Sequence, residues 1–130
     1  MVNRFKIPFS RIEKFINHAA SLFSVQSVSK GVYKDVHKGC SDAVLHLDNV
    51  LSMLADLKQQ HKADVNMQEH IVSMIFFADK MRSELKSRVP EAMITQNSVL
   101  GLASLQLLKK SWFEVQEGYS GLLEKTGKSE

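Results

Sequence analysis

Apolar residues recur along this chain in alternating steps of four and three. That spacing keeps them on one side of a helix and makes a continuous seam. One run is Val36, Cys40, Ala43, Leu47, Val50, Leu54 and Leu57. It predicts a helix, here helix 2, closed by the positive charge of His61-Lys62. Gly39 lies inside it and weakens its first turn.

The seam resumes in helix 3 with Met67, Ile71, Met74, Ala78, Met81 and Leu85. Asp64 or Asn66 caps that helix, the second with Glu69 as its capping-box partner. Lys80, Arg82, Lys86 and Arg88 place positive charge near its C-terminus, the favourable sign there. Val89-Pro90 ends it, because proline pushes the residue before it out of the helical region.

Pro90 suits the first position of helix 4, with Glu91 just inside. The seam Ile94, Ser98, Gly101, Leu105, Leu108, Trp112, Val115, Tyr119 and Leu122 predicts one helix from about Glu91 to Leu123. At 1.5 Å per residue it is ~50 Å long. Gly118 and Gly121 are places where it frays or ends. Its middle, VLGLASLQLL from Val99 to Leu108, is apolar on every side, which an ordinary surface helix does not allow.

The N-terminal pattern differs. Phe5, Ile7 and Phe9 alternate with Lys6 and Pro8, which reads as an extended arm over residues 1–9. Ser10 and Glu13 then form a capping box that starts helix 1 at Arg11. Ile12, Phe15, Ile16, Ala19, Leu22 and Phe23 give that helix one apolar face, fading through Ser24–Ser29 to a stop at Gly31. Residues 126–130 read as a polar tail.

Consecutive heptad seams joined by short connections imply shallow antiparallel packing. The expected fold is all-α, an up-down antiparallel four-helix bundle with a long C-terminal helix, formed by residues 1–130 as one domain. Phe15, Phe23, Leu47, Leu54, Met74, Met81, Leu105, Leu108 and Trp112 are expected in its core.

Composition adds constraints. At 130 residues the chain is long enough to bury a sizeable core. Cys40 is the only cysteine, so no intramolecular disulfide and no thiolate cluster can form. The N-terminus lacks the pattern of a signal peptide, and no apolar run approaches the ~20 residues a membrane span needs. A soluble, cytoplasmic protein is expected. The net charge of +3 is scattered along the chain rather than gathered on one face, which argues against nucleic-acid binding.

Candidate chemistry is sparse. His46 lies beside the helix 2 seam with Asp42 one turn earlier, and a hydrogen bond between them is expected. A di-metal centre in a bundle would need Glu-x-x-His pairs on two helices, and the chain has none. His37, Lys38 and Gly39, in DVHKGCSD, resemble the His-x-x-Lys-Gly motif of histidine phosphotransfer domains, which are four-helix bundles of about this length with a phosphorylated histidine on a middle helix. The resemblance implies His37 as phosphoacceptor. Here, however, Lys38 follows the histidine directly and so points to a different side of the helix. Arg11 and His18 are similar in spacing to the Arg-x6-His pair of some helical ribonuclease-like toxins, although that pair lies on a late helix. Asp48, Asp56 and Asp79 stand singly beside seams, and Cys40 faces the core. No catalytic, cofactor-binding or metal-ligating set is expected, and hence no enzyme.

What remains is surface. Val72 and Phe76 lie opposite the methionine seam of helix 3, and Val99, Ala103 and Leu107 opposite the seam of helix 4. These five are the expected partner-binding residues, serving either a homodimer or another protein through helices 3 and 4. The expected function is a non-enzymatic interaction module, such as an adaptor, small chaperone or assembly subunit. A phosphotransfer domain using His37 is the alternative, and weak nucleic-acid binding a third.

Overall fold

The computed structural model describes residues 2–23 and 30–126, with side chains described over 4–21 and 38–125. A 3-10 turn, Val2–Phe5, leads into α1 (Lys6–Phe23), followed by α2 (Lys30–Gln60), α3 (Val65–Lys86), the short α4 (Arg88–Ile94) and α5 (Ser98–Thr126). The fold is all-α and contains no strand among the described residues. The main interfaces run α1 to α2, α2 to α3, α3 to α5 and α5 back to α1, closing a ring of four long helices. This is the expected four-helix bundle.

The seams form its core. Leu47, Val50, Leu54 and Leu57 of α2, all six seam residues of α3, and Leu105, Leu108, Trp112, Val115 and Leu122 of α5 are buried, together with Ile12, Phe15, Ile16 and Ala19 of α1. Phe23, expected beside them, ends α1, but its side chain lies outside the described residues, as does that of Val36.

The largest interface, α3 against α5, has a chemical cause. Ser104, Ser111 and Gly118 are buried seven residues apart on α5. A heptad stripe of small residues lets two helices approach closely. A Cβ on Gly118 would overlap the Met74 side chain, and one on Gly121 the His70 ring. Both glycines lie inside α5, which runs on to Thr126, so they mark packing rather than the expected fraying. Gly39 serves the same purpose between α1 and α2, where an added Cβ would sit 3.0 Å from the Phe15 ring.

At the α3–α4 junction, α3 ends at Lys86 and α4 starts at Arg88, so Val89 is helical rather than the expected stop and Pro90 is third rather than first in its helix, still within the first turn where its missing N–H costs nothing. Three further boundaries differ from expectation. Over its described part the expected arm is not extended: Val2–Phe5 is a 3-10 turn and the helix starts at Lys6, which makes Ser10 an interior residue instead of a cap. Pro8 is no obstacle, since it sits in the first turn, where backbone N–H groups have no helical acceptor. Phe5 and Phe9, four apart, then share a face. Phe9 packs edge-on against Trp112 and Tyr119 at centroid distances of 5.0 and 4.9 Å, and Phe5 lies 5.6 Å from Tyr119. Docking of these rings onto α5 outweighs the local alternation. At the other end of helix 1, Gly31 belongs to the first turn of α2 and ends nothing, and the serine-rich stretch 24–29 lies outside the described residues.

The third difference is a break in helix 4. α4 ends at Ile94 with Thr95 as its C-cap, Gln96 takes φ 55°, and α5 begins at Ser98. Gln96 N–H donates to Met93 O and Asn97 N–H to Ala92 O, the paired reverse bonds of a Schellman ending. Asn97 then caps the next helix, its Oδ1 accepting from Leu100 N–H at 3.0 Å. Ile94, expected on the seam, is consequently 75% exposed. Of the two caps open for α3, Asp64 is used, accepting from Met67 N–H at 3.1 Å.

Candidate interaction surface

α3 shows the bundle two different faces. Met67, Ile71, Met74, Ala78, Met81 and Leu85 are buried on one side, whereas Val65, Val72 and Phe76 on the other are 71%, 47% and 53% exposed. The outward three share a face because steps of seven and four return to the same side of a helix. With Gln68, Glu69, Ser73 and Phe77 they line a shallow depression of about 610 Å³. Phe76 and Phe77 meet edge to face at 5.1 Å. Lys80 Nζ stands 4.7 Å from the Phe76 centroid, a cation–π contact at the rim. The patch thus has an aromatic centre, one acidic side chain and one basic side chain.

Of the five expected partner-binding residues, Val72 and Phe76 line this depression together. Val99, Ala103 and Leu107 do not; they follow one another along α5, the first two exposed and Leu107 half-buried. Val65, Phe77 and Lys80 belong to the α3 patch but were not among the expected residues. Val65 was detectable, because it precedes Val72 by seven and continues an outward stripe parallel to the methionine seam. Lys80 was not, because its contact with Phe76 depends on rotamer.

The candidate chemical residues are dispersed. His46 is half-buried and Asp42 exposed, and no hydrogen bond joins them among the described residues, contrary to expectation. The backbone of His37 lies within α2, but its side chain falls outside the described residues; Lys38 is exposed and Gly39 is taken up by packing under Phe15. Arg11 and His18 are both exposed on α1. His70 of α3 is half-buried with its ring against Gly121.

No group of three His, Cys, Asp or Glu side chains gathers as a metal ion would require, among the described residues. Cys40 is 3% exposed, and burial pushes its thiol from an ordinary value near 9.0 up to about 12, so it stays protonated and unreactive at neutral pH. It borders a second depression of about 420 Å³ with Val44, Leu45, Leu85, Lys86 and Pro90.

One polar cluster is buried. Glu84 of α3 accepts from Ser104 Oγ of α5 at 2.6 Å and pairs with Arg88 of α4 at 3.3 Å. A carboxylate satisfied on both oxygens ties three elements together and leaves no free group for chemistry. Asp48 of α2 pairs with Arg82 of α3 in the same structural manner. No helix among the described residues is long and apolar enough to cross a membrane. Comparison with protein-family models, curated proteins and solved structures finds no match to this chain.

Proposed function

We propose that the protein is a non-enzymatic, cytoplasmic interaction module that binds another polypeptide through the outward face of α3. The observation that carries this reading is the Val65, Val72 and Phe76 stripe, which exposes large apolar side chains in register on a helix whose opposite face is wholly packed. A solvated helix face is ordinarily polar, and a contiguous apolar strip with charged residues at its rim has the composition of a contact surface. The mechanism is burial of that strip against a helix of the partner, with Phe76 as the aromatic anchor.

A photo-reactive amino acid placed at Val72 in cells expressing the chain tests this. The same residue at Asn49, exposed on α2, is the control. One discrete adduct from position 72 and none from position 49 is expected. Adducts equal at both positions, or absent from both, would overturn the reading.

A further inference from the structure

The outward face of α3 is complementary to itself, and from this we infer that its occupant is a second copy of the chain, packed antiparallel across α3. The inference rests on the reading of that face as an interaction surface and names the partner.

At about 100° per residue, Val65, Val72 and Phe76 fall along the middle of the outward face. Glu69 and Lys80 fall on one flank of that line, and Gln68 and Asp79 on the other. A two-fold axis that exchanges two antiparallel helices pairs residues whose numbers have a constant sum, and it keeps each flank on its own side. Setting the axis level with Met74 places Val72 of each copy opposite Phe76 of the other. Glu69 then comes within one residue, about 1.5 Å of rise, of Lys80 in the second copy, and on the same flank. Both apolar pairs and both charge pairs are satisfied by a single operation.

A parallel pairing, whose two-fold runs along the helices, exchanges the flanks: Glu69 then faces Gln68 and finds no cation, and the charge pair is Lys80 with Asp79 instead, so reversing Glu69 weakens only the antiparallel dimer. Antiparallel pairings at other levels use the charges less well. Moving the axis half a turn toward the N-terminus puts the Glu69 carboxylate opposite the Phe76 ring, and half a turn the other way leaves Glu69 facing Ser83. The two charges are also available. The ion pairs among the described residues are Arg82–Asp48 and Arg88–Glu84, so neither Glu69 nor Lys80 is engaged in one. Lys80 is already held over the Phe76 ring, at the edge of the strip where a carboxylate from a second copy would arrive.

Sedimentation of the purified full chain over a concentration series tests the inference. A dimer in the micromolar range is expected. Glu69→Lys and Lys80→Glu should each weaken it roughly tenfold, since the two-fold turns two attractions into two repulsions at once. Mixing the two single variants one to one should restore association as a heterodimer, because every cross pair is again of opposite sign. Circular dichroism of each variant confirms that the helices are intact. A parent chain that stays monomeric throughout, or a dimer indifferent to both reversals and to their mixing, would overturn the inference. A monomeric parent with a discrete adduct from position 72 to a different protein removes the second copy as occupant and leaves the α3 face as an interaction surface. A monomeric parent with no adduct removes both.

Discussion

Single residues were legible in the sequence wherever period alone decides burial. The methionine seam of α3 and the seam leucines of α2 and α5 are buried as their spacing requires. Glycines were not legible, because a glycine that weakens a helix and one that admits a neighbour look alike until the neighbour is known. Gly39 meets Phe15 and Gly118 meets Met74, partners far away in the chain. Cys40 was placed correctly in the core by its seam position, and its burial has a consequence for pH. Its thiol is raised to about 12 in the folded state, whereas in the unfolded chain it titrates near 9.0. Between those values the unfolded chain has lost a proton that the folded chain keeps, so stability falls as pH rises. The contribution is complete below pH 9, declines through pH 12 and is bounded by roughly 4 kcal/mol. Chemical denaturation from pH 8 to 11 should therefore show the parent losing stability relative to Cys40→Ala. Parallel curves for the two proteins would contradict a thiol buried as Cys40 is.

Elements were legible in the interior and misread at both ends. The alternation of Phe5, Ile7 and Phe9 is too short to distinguish a strand period from two helical neighbours four apart, and only the rings of Trp112 and Tyr119 decide between them. The break at Gln96 has weak local signals: Thr95, Asn97 and Ser98 are poor helix formers, but the residue in the left-handed conformation is a glutamine instead of the glycine usual there. A non-glycine residue in that conformation costs about 1–2 kcal/mol. Gln96→Gly should therefore stabilise the protein by about 1 kcal/mol, somewhat reduced by the greater freedom of glycine in the unfolded chain. Gln96→Val, β-branched, should destabilise it. If α4 and α5 were one continuous helix, the order would reverse, with glycine the more damaging of the two. Thermal unfolding of both variants separates these cases.

At the level of the whole molecule, the ring of four helices followed from the seams, but the coverage of the last helix did not. The all-round apolarity of Val99–Leu108 called for neighbours on most sides, and the break at Gln96 supplies one of them by folding α4 back against α5. Even so, Val99 remains 77% exposed, so the excess is only partly absorbed within one chain. The division between packed and open apolar surface is sharpest on α3, where Met74 and Phe76 are two residues apart on opposite faces. Met74→Asp would place a carboxylate without a partner in the core and should unfold the protein. Phe76→Asp puts the same group at a position already half in water and should leave a cooperatively folding bundle, altered by about 1 kcal/mol or less at low concentration. If the α3 face is covered by a second copy, the parent chain gains stability with concentration by mass action and Phe76→Asp does not. Thermal melts of parent and variant across a hundredfold range of concentration should therefore diverge, coinciding at the dilute end and separating at the concentrated end. Melts that stay the same distance apart at every concentration would mean that Phe76 acts only within its own chain.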